Sequence, residues 1–256
     1  MIDIAFGLGF VAGSVTLALA AYLMARAVAA PRMTEDTKAL ADSMVFRIGA
    51  LHGLILALVF AQELLAYREI RLGLAIEATA VSDLYFDIAR YAPAPEIAAV
   101  VRAALEDYVR IAVGPEWESL AATDRLLQSA WEAREIVYGA VLDLVPETPR
   151  QETLRAKMLA DIHTLAQLRD AREVAALSAI SPMFWVAAFA GVLLVVLPYF
   201  RFAPTALNMV LLASFAAYAG LVLSFIYAFA DPFAAPGRLE PAALERLLRT
   251  GMGVGA

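Results

Sequence analysis

Three polar residues sit inside a membrane-grade apolar run and could do chemistry there: His52, Gln62 and Glu63, within the stretch from Leu51 to Arg90 that reads LHGLILALVFAQELLAYREIRLGLAIEATAVSDLYFDIAR. His52 and Glu63 are eleven residues apart, about three helical turns, so they share one face with Leu56 and Val59 between them. An imidazole and a carboxylate on one face of a spanning helix suit proton transfer or a polar permeation path; interhelical hydrogen bonding inside a bundle is the plainer use of the same pair. Leu56, Val59 and Phe60 suit an apolar constriction that gates by dewetting if several copies of the helix surround a pore, and otherwise an ordinary lipid-facing or packed surface. Metal binding is not expected. The chain has no Cys and only two His, His52 and His163, far apart in sequence.

Two further groups carry charge outside the apolar runs. Glu116-Trp117-Glu118 follows Gly114-Pro115 and opens a helix, where carboxylates meet the free N–H groups of the first turn and Trp117 anchors a core. No nucleophile or base accompanies them, so a catalytic carboxylate pair is the weaker reading. Arg169 and Arg172, one turn apart, suit an anion contact or, more plainly, ion pairs with Glu77 or Asp83 across a bundle. No Gly-rich phosphate loop is present.

The elements that must position these residues are helices. Spanning a bilayer takes about 20 mostly apolar residues, and four segments qualify: Ile4 to Ala30, Phe46 to Ala66, Met183 to Phe200 and Thr205 to Ala230. Gly7, Gly9, Gly13 and Ser14 give the first span surfaces that let helices approach closely. Met1-Ile2-Asp3 lacks positive charge, and the apolar run exceeds the roughly 7 to 15 residues of a signal-peptide core, so this span is expected to be retained. Pro31 marks its end, and MTEDTKALADSM is expected to form a short polar linker with two turns of helix, Thr34 capping.

After Leu51 to Arg90, Pro93 and Pro95 break the chain. Helices are then expected from Glu96 to Val113, from Glu116 to about Val145 as one long element, and, after Pro146 and Pro149, from Glu152 to Ile180. The fold class expected is all-α: 1–66 for the first two spans, 67–182 for a helical soluble insert continuous with them, 183–230 for a membrane hairpin and 231–256 for an amphipathic tail.

Composition agrees with a mixed membrane and soluble chain: 62% hydrophobic and 18% charged residues, with a mean hydropathy of +0.70. A net charge of −6 without a basic cluster argues against nucleic acid as a partner. Short-loop charge does not set orientation, since Arg26, Arg32, Lys38, Arg47 and Arg201 flank one side while Arg68, Arg71, Arg169, Arg172 and Arg238 flank the other.

The order of features resembles the bacterial bestrophin-like membrane protein family, distant relatives of the bestrophin anion channels. The resemblance rests on two spans; Glu77-Ala78 with Tyr85 eight residues on; Tyr108; Glu116-Trp117; Arg169 and Arg172; Pro182; two more spans; and Asp231-Pro232-Phe233. It implies a homopentamer in the bacterial inner membrane with cytoplasmic termini, no cofactor, and a second helix that lines a narrow apolar neck. Placed on this chain, the pore candidates are His52, Leu56, Val59, Phe60 and Glu63, while Glu77, Glu116, Trp117, Arg169, Arg172 and Asp231 are structural or anion-contact candidates. Bestrophins clasp calcium with an acidic run after an Asn-Pro-Phe-Gly motif; here DPFAAPGRLEP offers Asp231 and Glu240 as its only carboxylates, too few for the six to eight oxygens calcium takes.

The function expected is therefore an oligomeric ion channel whose partners are the lipid bilayer and permeant inorganic ions. Selectivity is anionic by resemblance, with cations favoured if Glu63 faces the pore. A non-conducting membrane sensor or scaffold with a ligand- or partner-binding insert is the alternative. An enzyme is not expected, because no paired catalytic constellation is present.

Overall fold

The computed structural model describes residues 4–29, 34–91, 95–178 and 180–253, and within them every regular element is helical. Ala30, Pro31, Arg32 and Pro93 lie outside the described residues, as do the extreme termini. The helices are α1 (Ile4–Ala29), α2 (Glu35–Tyr91), α3 (Pro95–Val113), α4 (Pro115–Thr123), α5 (Gln128–Leu142), α6 (Pro149–Leu177), α7 (Pro182–Val196), α8 (Ala206–Ala230) and α9 (Ala242–Arg249). Four of them are long and apolar enough to cross a membrane: α1, α2, α7 with the short 3₁₀ turn that follows it, and α8.

The expected polar linker before the second span is absent as a separate piece. α2 begins at Glu35 and continues without a break for 57 residues, about 85 Å of helix. No Pro interrupts that run, and Gly49, Gly53 and Gly73 are too sparse to end it.

The chain divides into two compact units. The first holds α1, α2 through Ala66, α7, α8 and a short piece ending at Gly237. α1 lies along α8, and Ala18, Tyr22, Val196, Leu212 and Ala216 form its buried seam. The approach is close because α8 carries Gly220 at the crossing, where a β-carbon would come within 2.7 Å of Ser14 Oγ and 2.8 Å of the Phe10 carbonyl. A Ser181 cap and Pro182 start α7, and Thr205 caps α8 by accepting from the Asn208 N–H. At the α7–α8 turn, Tyr22 donates to the Phe202 carbonyl at 2.8 Å and Arg26 to the Phe200 carbonyl at 2.9 Å, while Arg201 pairs with Asp42.

The second unit holds α2 from Tyr67, α3 to α6, Pro232–Ala234 and the chain from Arg238. Its core takes Leu74, Val81 and Leu84 from α2, Leu105 and Tyr108 from α3, Trp117 from α4, Val137 from α5 and Ile162 from α6, with Phe233, Leu244 and Leu247 from the end of the chain. A capping box of Thr148 with Gln151 begins α6 behind Pro149.

The long helix expected from Glu116 to Val145 is two helices. α4 ends at Thr123, Asp124 takes the left-handed conformation (φ 57°), and α5 starts after an extended Leu127. The break resets the helical phase, so α5 buries Ala130, Ala133, Val137 and Val141 and leaves Trp131, expected on the apolar side, 41% exposed.

Candidate functional site

In the first unit the membrane part of α2 has three distinguishable sides. One packs inward: His52 is 8% exposed, and Leu56 joins Ala188 of α7 with Leu223 and Ile226 of α8 in a small core that Val59 and Phe60 flank. Glu63, in line with His52 and Leu56, is half-buried. The face expected to line a pore is thus largely the face that packs against the subunit's own α7 and α8.

His52 fits there because of a glycine. A β-carbon on Gly191 would lie 2.1 Å from His52 Nδ1 and 2.5 Å from Cε1, so the imidazole lies flush against the α7 backbone. Among the described residues its Nε2 is buried and has no hydrogen-bond partner.

The second side of α2 carries Gly49, Gly53 and Ala57, small residues one turn apart. Together with His52 and Phe60 they form one wall of a groove whose other wall is α8, with Tyr218 and Phe225; its volume is about 430 Å³ and its lining is mostly apolar. The third side is bare. Leu51, Ile55, Leu58, Gln62 and Leu65 recur at alternating steps of four and three, the 3.5-residue period of a helix seam, and all five are exposed, Leu58 to 69%. In its most apolar window α2 is only 11% buried.

The second unit brings together four of the charged candidates. Arg169 and Arg172 project from α6, Glu77 from α2 and Glu116 from α4, and all four are buried. Arg172 pairs with Glu77 Oε2 and, at 3.2 Å, with Glu116 Oε1; Arg169 pairs with Glu116 Oε2 at 2.7 Å. Tyr108 of α3 donates to Glu77 Oε1. Glu116 also accepts from the Leu127 N–H at 3.0 Å, and Arg169 donates to the Leu127 carbonyl. The break between α4 and α5 is therefore wrapped around this carboxylate, which satisfies the backbone groups the break releases.

Burial, then the neighbouring Glu77 charge, pushes the Tyr108 hydroxyl well above the usual phenol range. Burial opposes the charge on Arg172, but Glu77, followed by Tyr108 and Glu116, outweighs it and raises the guanidinium pKa. With two carboxylates facing two guanidiniums the cluster balances its charges, a frame rather than a reactive group, and Arg172 Nε is its one buried nitrogen without a partner among the described residues. Trp117, beside Glu116, donates from Nε1 to the Leu239 carbonyl at 3.0 Å and meets Phe233 edge-on. Asp231 caps α8 in extended conformation.

Sequence reasoning missed a second cluster. Lys157 Nζ reaches Asp83 at 2.7 Å, Asp87 at 2.8 Å and Asp161 at 3.4 Å, so Asp83 pairs with Lys157 and not with the arginines. Burial lowers the Lys157 pKa, but the hydrogen bonds to Asp83 and Asp87 outweigh it and raise it overall; burial raises Asp161. The available signal was Asp83 with Asp87 and Lys157 with Asp161, each pair one turn apart on its helix. Among the described residues no group of three or more His, Cys, Asp or Glu is placed to hold a metal ion.

A family model described as a Bestrophin-like domain matches residues 12–244. No curated protein and no solved structure matches the chain.

Proposed function

The chain belongs to the Bestrophin-like family, and from that membership we propose that it forms an oligomeric ion channel of the bestrophin type with α2 around a central pore. It is a membrane protein, by its family and its four spanning-grade helices. The family match over nearly the whole chain is the observation that carries the reading. The bare seam of α2 supports it: a helix whose apolar window packs so little within its own subunit gains most from copies of itself, and a closed ring encloses a path that four helices of one chain do not.

In this reading Leu51, Ile55, Leu58 and Leu65 form the apolar neck, with Gln62 as its polar step. Stacked rings of leucine dewet when narrow and conduct when they widen, so a small rotation of α2 acts as the gate. Val59 lies at the edge of that face, while Phe60 and Glu63 turn with His52 and Leu56 toward α7 and α8, where the Glu63 charge acts on the local potential from behind the neck. His52 and Leu56 hold α2 against α7 and α8 from behind. Residues 67–182 form the cytosolic insert, with both termini on the same side of the bacterial inner membrane, and its ion cluster is a rigid frame that needs no cofactor. A pentamer is the assembly the family resemblance implies.

The test is flux from liposomes holding the purified protein. Leu58→Ala widens the neck and is expected to raise chloride or sodium flux several-fold; Glu63→Gln is expected to shift the chloride-to-sodium ratio toward chloride. An assembled, folded protein that passes neither ion across a range of pH, calcium and voltage overturns the reading.

A further inference from the structure

The turn between α7 and α8 folds over a cavity of about 330 Å³. Its floor is Tyr22 of α1 and Leu212 of α8, both buried, and its walls are Tyr199, Phe202, Asn208 and Phe215. Tyr199 and Asn208 are half-buried, Phe202 and Phe215 are exposed, and a ligand in the cavity can touch all four. Aromatic rings are common where spanning helices end. Here α1, the turn and α8 converge on one cavity, and the groups that line it agree in sign.

Among the described residues no carboxylate and no cationic side chain lines it. The ring faces of Tyr199, Phe202 and Phe215 carry the negative side of the aromatic quadrupole, which attracts cations. Phe202 already shows this behaviour: Arg201, outside the lining, holds its guanidinium 4.5 Å from that ring's centroid. Asn208 adds an acceptor. Its Nδ2 donates to the Ala203 carbonyl at 2.9 Å, which orients the amide and leaves Oδ1 without a partner among the described residues. The cavity therefore suits an ammonium that has N–H groups to donate. Its rim suits the opposite charge. Arg26 Nη1 donates to the Phe202 carbonyl at 2.5 Å, the same oxygen that the Tyr22 hydroxyl meets at 2.8 Å, so this guanidinium stands at the cavity's edge. Its Nε and Nη2 have no partner among the described residues, and guanidinium N–H groups in a planar fork fit a phosphate. The Arg201 charge, by contrast, is answered by Asp42.

We infer that this cavity binds the headgroup of a phosphatidylethanolamine, with the ammonium among Tyr199, Phe202 and Phe215 and hydrogen-bonded to Asn208 Oδ1, and the phosphate on Arg26. A phosphodiester that carries its own ammonium matches a cation-seeking pocket beside a phosphate-seeking rim. The lipid form is favoured over a soluble one because Leu211, Phe215 and Tyr218, all exposed, run from the cavity down the spanning helix α8 as a track for acyl chains. Choline has no N–H to offer Asn208, so the ethanolamine headgroup makes one contact more. The inference needs only that the chain lie in a membrane and is independent of the channel reading.

Native mass spectrometry of the full-length protein in detergent, with defined lipids of matched acyl chains, tests it. Phosphatidylethanolamine is expected to be retained roughly three- to tenfold more than phosphatidylglycerol, which has the phosphate but no ammonium, with phosphatidylcholine between the two. Tyr199→Leu combined with Phe202→Leu keeps the lining apolar, removes two ring faces and is expected to abolish that preference. Arg26→Gln is expected to weaken all three lipids alike. Equal retention of phosphatidylethanolamine and phosphatidylglycerol by the wild-type protein overturns the inference and needs no variant to fold. A double variant with unchanged helical circular dichroism that keeps the preference also overturns it. Glycerophosphoethanolamine, the same headgroup without chains, is expected not to compete at the lipid's own concentration; competition would assign the site to a soluble zwitterion and overturn the lipid.

Discussion

The two compact units treat buried charge differently, although each leaves a buried polar atom without a partner among the described residues. The insert closes its charges on one another: Glu77, Glu116, Arg169 and Arg172 answer each other, and Tyr108 donates into the same cluster. The first unit holds no buried ion pair of this kind among its described residues and is joined instead by close backbone approach at Gly191 and Gly220. The difference follows from what surrounds each. In the second unit burial away from water keeps the ion cluster strong, and its charges balance within one chain. Spanning helices meet lipid, where small surfaces allow the close approach that joins them.

Substitutions can break or sharpen that contrast. The largest effect is expected in the insert. Glu116→Ala strands Arg169 and releases the Leu127 backbone, and should cost about 3–5 kcal/mol, read as a lower denaturant midpoint of the solubilised protein; a loss below about 1 kcal/mol would mean the cluster is not closed. An intermediate effect is expected at the membrane crossing. Gly191→Ala drives a methyl into the His52 ring and should cost about 1–3 kcal/mol, with His52→Ala recovering part of that loss in a double-mutant cycle; additive losses would deny the contact.

The smallest effect belongs to Lys157, which is partly exposed. Lys157→Met should cost about 0.2–1 kcal/mol near neutral pH. Because its carboxylate partners hold the folded pKa above the unfolded value, the contribution is complete below about pH 10 and is lost as pH rises through the raised value. The gap between wild type and Lys157→Met should therefore close in strongly alkaline buffer; a gap that widens there would refute the pairing.

Much of this was legible in the sequence. The four spanning helices follow from the length of their apolar runs, and the run without Pro from Leu51 to Arg90 announced a single helix. Arg169 and Arg172 stood out because two cations one turn apart need anions nearby. Other features were not legible, for physical reasons. The break after Thr123 contains neither Gly nor Pro; it exists because Glu116 and Arg169, distant in sequence, satisfy Leu127. The polar residues of α2 suggested a pore face, yet the rotation of a spanning helix is set by its neighbours, and Gly191 admits His52 to the interior. The open face is the apolar one, which carries no mark in the sequence of a helix that is apolar nearly all round.

Trp117 and Phe233 carry a consequence for synthesis. Phe233, Leu244 and Leu247 are fully buried in the core of a unit whose α3 to α6 are complete by Leu177, so this core cannot be completed until α7 and α8 have been made and the chain beyond them has left the ribosome. At roughly 5–20 residues per second, the half-built second unit waits for several seconds without Phe233 against Trp117, while α7 and α8 are being made. Its completion is thereby tied to the end of translation, and a polypeptide stalled before Phe233 is left with an open core.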